Sequence, residues 1–256
     1  MQKVLLLIAF FSIDTLHSDL LFERHKEKIE AYWIKSGDLV IDVGANIGDC
    51  ACRYSPLVGE KGKVIAYEAN PYVFDVLRAG VKDRYKRGEI LNNISIKWKA
   101  VSSVSQEKLW MKVYPFEWLC VGGTVESINM GKDRMPEGTL RGSTHMVEVE
   151  SEKLDDLLLN EKNIGSLRYI KIDTEGHDQA VLEGAKQLLL TYRPLVLFEP
   201  GITIKDTIQL LEEFGYYCYD LITNKQVNIH DIKSTDFLAI PVENLEEITN
   251  ALPNLY

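Results

Sequence analysis

The chain has 256 residues, 46% of them hydrophobic and 26% charged, and carries a formal net charge of −9. That length can bury the core of one globular domain without needing a second. The negative balance argues against a nucleic-acid partner or an anionic membrane surface, both of which select a basic stripe, and no apolar run is long enough for a transmembrane span.

Residues 1–13 open with a single lysine and the apolar run Val4 to Phe11. This resembles the start of a signal peptide, yet no small-x-small cleavage site follows. It reads as a segment packed on the domain, or a poorly ordered terminus, of a cytoplasmic protein; export through a signal peptide in residues 1–17 is the alternative. From Leu20 to Trp33 apolar residues recur at helical spacing among charged ones, which predicts an amphipathic helix. The chain thus divides into residues 1–35, a main domain over 36–241 and a tail, 242–256, of helical character. Four cysteines, Cys50, Cys52, Cys120 and Cys218, match neither a zinc site nor a redox pair and suit a reducing compartment.

The most informative stretch is Leu39 to Asp49. An apolar, β-branched run predicts a buried parallel strand, and Asp42, Gly44 and Gly48 predict a tight turn into a helix. Glycine is expected where backbone adopts a conformation closed to other residues or lies against a ligand. The dinucleotide pattern G-x-G-x-x-G would place glycines at positions 42 and 47, but the chain has Asp42 and Ile47 there. A carboxylate repels a pyrophosphate and attracts a cation, and S-adenosyl-L-methionine carries both an ammonium and a sulfonium. The next strand, Lys63 to Glu68, ends in an acid at the spacing at which ribose hydroxyls are gripped in folds of this kind.

Asn70 and Pro71 then predict a capped helix start, with Phe74, Val76 and Leu77 facing inward. Ile94 to Ala100 alternates as a third strand. Lys108 to Tyr114 and His145 to Glu150 alternate again, and the Gly-, Ser- and Thr-rich residues 115–144 between them, with Arg134 and Arg141, read as a substrate lid. A fourth strand, Leu167 to Ile172, ends in Asp173-Thr174-Glu175-Gly176-His177-Asp178 and leads into an apolar helical face from Ala180 to Leu189. Asp173 suits the first turn of that helix, where free N–H groups favour a carboxylate. Leu195 to Phe198 is a fifth strand ending in Glu199, followed by a helix over Ile204 to Phe214 and strands over Tyr216 to Asp220 and Thr235 to Ile240. In an open α/β sheet, ligands bind at the carboxyl ends of strands where strand order reverses, which here is between the first and fourth.

Four motifs in register, D-V-G-A-N-I-G at 42–48, Y-E-A-N-P at 67–71, K-I-D-T-E-G-H-D at 171–178 and R-P-L-V-L-F-E at 193–199, resemble the FkbM family of S-adenosylmethionine-dependent methyltransferases. The resemblance covers roughly residues 36–241. It implies a class I methyltransferase fold: an α/β, Rossmann-like sheet of mostly parallel strands, helices on both faces, and a lid insertion between the third and fourth core strands. It further implies cofactor contacts from Asp42, Gly44, Ala45, Asn46, Gly48, Glu68, Ala69, Asn70 and Asp173, with Ala100 and Val101 beside the adenine. In such folds a helix like the predicted amphipathic one often forms one wall of that site; packing alone is the other reading. The expected reaction is O-methylation of a sugar or other small-molecule hydroxyl.

A hydroxyl needs a base within hydrogen-bond reach, or a metal, before it attacks a methyl group. His177 and Glu175 are the base candidates, although His177 could equally be a hydrogen-bonded structural histidine. Asp173 and Glu199 could position the acceptor or hold a divalent metal through oxygen. Two other readings stay open, a non-catalytic scaffold domain of glycan assembly and an NAD-dependent oxidoreductase.

Overall fold

The computed structural model describes residues 24–113, 125–126, 145–160, 165–199, 204–221, 223, 225–227 and 236–255. The expectations for the apolar N-terminus, for Cys120 and, apart from residues 125–126, for the lid at 115–144 lie outside these residues.

The elements run as α1 (24–33), β1 (Asp38–Val43), α2 (Asp49–Val58), β2 (Lys63–Glu68), α3 (Pro71–Lys86), β3 (Ile94–Trp98), β4 (Ala100–Val101), β5 (Lys108–Val113), β6 (Val125–Glu126) and β7 (His145–Glu152). After a 3-10 turn at Leu154–Asp156 come α4 (Leu157–Asn160), β8 (Ser166–Ile172), α5 (Asp178–Glu183), α6 (Lys186–Tyr192), β9 (Leu195–Phe198) and α7 (Ile204–Glu213). The chain closes with β10 (Tyr216–Asp220), β11 (Lys225–Gln226), β12 (Phe237–Pro241) and α8 (Leu245–Leu255).

The main sheet has the order β11-β10-β12-β9-β8-β1-β2-β3. Strands β3, β2, β1, β8 and β9 are mutually parallel, and β12 runs antiparallel between β9 and β10. Strand order therefore reverses between β1 and β8. Every residue of β1 is buried, as a strand covered on both faces requires. The period of two splits its side chains cleanly: Leu39, Ile41 and Val43 pack under α5, α6 and α7, while Val40 packs under α1, α2, α3 and α8. Ile248 and Leu252 of α8 join the second cluster, so the C-terminal residues add to the core.

Several details differ from the sequence expectation. The third strand stops at Trp98, and Ala100–Val101 moves into a second sheet of order β4-β7-β5-β6 with its own small core of Ala100, Leu109, Met111, Val113 and Val149. In α3 Val73 and Leu77 are buried and Phe74 packs partly buried against the core as expected, but Val76 is exposed, because helical spacing from Leu77 selects 73 and 74 and not 76. The helix expected from Ala180 to Leu189 is two helices. A Cβ on Gly184 would lie 2.0 Å from the Ser102 carbonyl oxygen, so the chain can pass there only as glycine, and it breaks at that crossing.

Candidate active site

The turn after β1 is built by close approach. Gly44 has φ +74°, its N–H donates to the Tyr67 carbonyl at 3.0 Å, and a Cβ on it would lie 1.8 Å from the Asp173 carbonyl oxygen. Gly48 has φ +93°, and a Cβ there would meet Leu77 Cδ1 at 2.5 Å. Both glycines are thus demanded by protein packing against β8 and α3, in addition to any ligand. Between them Asn46 takes a left-handed φ of 51°, which aims its N–H at Glu68.

Glu68 ties two turns together. One carboxylate oxygen accepts from Asn46 N–H and the other from Asn70 N–H, each at 2.8 Å, while the Asn70 side chain accepts from Tyr72 N–H at 3.0 Å and so caps α3. Burial pushes the Glu68 carboxyl up, and the two amides oppose that shift.

Beneath the Gly44 turn lies a buried charged group. Asp42 is fully buried and neither of its oxygens has a hydrogen-bond partner. Lys171, opposite it on β8, holds its Nζ 3.5 Å from Asp42 Oδ1 and donates to Asp173 Oδ2 at 3.2 Å and to the Gly44 carbonyl at 3.3 Å. Burial raises the Asp42 carboxyl, with Lys171 pulling the other way. Lys171 itself is raised by its two carboxylate neighbours in spite of its burial.

The second turn corrects the expected role of Asp173 as a helix-capping residue. Glu175 and Gly176 both have positive φ, 56° and 98°, which delays the helix until Asp178 and leaves His177 at the cap position without a side-chain cap. Asp178, buried, accepts from the Thr174 hydroxyl at 2.6 Å and from Glu199 N–H at 3.3 Å, pinning this turn to the end of β9. His177 Nε2 lies 3.1 Å from the Ser102 hydroxyl, and burial pushes the imidazole down, toward its neutral form at pH 7. Glu199 is pushed up to about 7 by burial and by the neighbouring carboxylates of Asp236, Asp173, Glu175 and Asp178.

These turns enclose a cleft of about 650 Å³, open to solvent, at the reversal point of the sheet. Gly44, Asn46, Glu68, Ala69 and Asn70 line one side, and Ala100, Val101, Asp173, Glu175 and His177 the other parts. Of the residues expected to bind or react, Asp42, Ala45, Gly48 and Glu199 do not line it. Asp42 and Gly48 lie behind its wall, held there by the β1 register and by the contact with Leu77. Conversely, Lys99 and Met111 do line the cleft, carried there by the second sheet, where Lys99 is ion-paired with Glu150. In the sequence Lys171 stands out only as a cation between two isoleucines of a largely apolar strand. Among the described residues no three His, Cys, Asp or Glu side chains come together as a metal-binding group, Asp173 and Glu199 included, and no helix is long and apolar enough to cross a membrane.

A mostly parallel sheet with this order, the antiparallel strands β12 and β11 near one edge, and a cleft at its reversal point define the fold of the class I methyltransferases. The model of the Methyltransferase FkbM domain matches residues 42–218, and the chain belongs to that family. Solved methyltransferase structures match the chain at low identity. The FkbM methyltransferase of Methylobacillus flagellatus KT is 15% identical, with 80% of this chain and 44% of that one covered and a TM-score of 0.48. The precorrin-6y C5,15-methyltransferase of Geobacter metallireducens GS-15 is 14% identical, covering 84% and 83%, at 0.43. Aeropyrum pernix fibrillarin with natively bound S-adenosyl-L-methionine is 15% identical, covering 80% and 66%, at 0.41. The chain spans less than half the length of the Methylobacillus protein. No curated protein matches it.

Proposed function

We propose that the protein transfers the methyl group of S-adenosyl-L-methionine to a hydroxyl of a sugar or another small molecule. The observation that carries this reading is the unpaired buried acceptor at the cleft: Asn46 Oδ1 has no hydrogen-bond partner, and it sits in the turn that Glu68 holds by its amide. Buried acceptors in proteins are normally satisfied, so one beside an open cleft fits a donor supplied by a ligand. Glu68 keeps free lone pairs beyond its two amide bonds and fits a pair of ribose hydroxyls. Ala69, Ala100, Val101 and Met111 offer an apolar slot for a flat base. Asp173 and the Gly44 carbonyl provide acceptors for an ammonium.

When bound, the cofactor supplies an electrophilic methyl on a sulfonium. The chain's part is to hold an acceptor oxygen in line with it, which is where most of the rate arises in such displacements. His177 lines the cleft and is held neutral by burial, the form able to take the hydroxyl proton. Asp173 and Glu175, on the same turn, suit the orientation of a neutral polyol and disfavour a polyanionic acceptor. The overall charge of −9 supports a small-molecule acceptor over a nucleic acid. The free thiols Cys50, Cys52 and Cys218 are in keeping with a cytoplasmic enzyme.

Calorimetric titration with S-adenosylhomocysteine, with NADH as the control ligand, tests the reading. Micromolar binding of the first alone, abolished by Glu68→Ala, is expected, followed by methyl transfer in a screen of sugar hydroxyls. Well-folded protein that binds neither ligand would instead be the scaffold of a glycan-assembly complex.

A further inference from the structure

Lys171 is 7% exposed, yet each partner of its ammonium belongs to a different part of the site. It faces Asp42 across the β1–β8 register, donates to the carbonyl of Gly44, and donates to the carboxylate of Asp173. Gly44 and Asp173 are the two backbone turns that line the cleft from adjacent strands, and they already touch, since a Cβ on Gly44 has no room beside the Asp173 carbonyl. Asp42 does not line the cleft, and its Oδ1 lies 3.5 Å from Nζ. The Lys171 ammonium thus reaches one acceptor from each cleft-lining turn, at 3.3 and 3.2 Å, while Asp42 and Asp173 supply the counter-charge at this depth.

We infer that Lys171 is a positioning residue that clamps the Gly44 turn to Asp173 and holds the cofactor-facing ends of β1 and β8 in their binding geometry. The inference rests on the S-adenosyl-L-methionine reading above.

The test compares Asp42→Asn with Asp42→Asn/Lys171→Met, which removes the ammonium and its buried counter-charge together and leaves an unbranched side chain one atom shorter. Melting temperature and calorimetric binding of S-adenosylhomocysteine are read for both variants and for the unmodified protein. The double variant is expected to melt within about 5 °C of Asp42→Asn but to bind S-adenosylhomocysteine at least about tenfold more weakly, about 1.4 kcal/mol. Equal affinities in the two variants would overturn the clamp while leaving the cofactor reading intact. A double variant that fails to fold would also overturn it, because the ammonium would then be needed by the fold itself. An unmodified protein that binds no S-adenosylhomocysteine would remove the cofactor reading, and the clamp with it.

Discussion

Two buried charged groups lie on the same face of the main sheet, one below the cleft and one below α1, and they are satisfied very differently. Under α1, Glu30 is fully buried and accepts from the Tyr54 hydroxyl at 2.8 Å, from the Tyr169 hydroxyl at 3.2 Å and from Arg53 Nε at 2.8 Å. The two tyrosine rings meet edge to face, with centroids 5.7 Å apart. Two residues further along β8, the Asp42–Lys171 group leaves both Asp42 oxygens without a hydrogen bond, and Asn46 Oδ1 in the adjoining turn is unpaired as well. A closed network rigidifies what it joins, here α1 and α2 onto the sheet. The open one leaves Asn46 Oδ1 unmet at the cleft, where a ligand can enter. The same strands therefore carry a structural half and a functional half, told apart by which acceptors are full.

The largest expected effect breaks the closed half. Glu30→Ala strands two buried hydroxyls and the Arg53 guanidinium, and should cost about 3–5 kcal/mol in urea unfolding. The folded fraction should still bind S-adenosylhomocysteine with a Kd within about twofold of normal; a much larger change would mean that the two groups are one. His177→Gln probes the open half and should lower kcat about 100-fold with the cofactor Kd changed by less than about threefold. Its pH–rate profile should lose the acidic limb that belongs to the imidazole. Glu68→Gln should weaken S-adenosylhomocysteine about tenfold, because one of its two amide partners would then face an NH₂ instead of an acceptor.

The smallest effect concerns the carboxylates around the second turn. Glu199 and Asp178 stand at about 7 and about 6 in the folded protein, above their ordinary values of 4.5 and 3.8. The folded state therefore binds more protons than the unfolded one between those limits, and stability falls as pH rises from about 4 to about 7, then levels off. Glu199→Gln should flatten the upper part of that slope and raise the melting temperature at pH 8 by about 2 °C. A melting temperature that climbs with pH over the same window would contradict the crowding of carboxylates at this rim.

Elements whose cause is local were legible before any coordinates. The β-branched run of β1, the Asn70 cap with Pro71 behind it, and the two-residue alternation of β5 and β7 each follow from neighbouring residues alone. The four motifs likewise put Asn46, Glu68, Asp173 and His177 at strand ends, and those residues line one cleft. The reasons for the two glycines were only half legible, since their tightest neighbours, the Asp173 carbonyl and Leu77, come from other parts of the chain.

By itself the sequence determined most of the strands and helices, because periodicity and caps act over a few residues, and its four motifs carried the resemblance to the family. Only the tertiary structure decided that Asp42 lies behind the cleft and not in it, that Lys171 reaches Gly44, that His177 meets Ser102, and that Glu30 fills the gap between two tyrosines. Each of those pairings joins residues far apart in the chain. They exist because parallel strands with crossover helices bring distant segments into register. The charge, depth and bonding of a buried group depend on that register, and no local pattern encodes it.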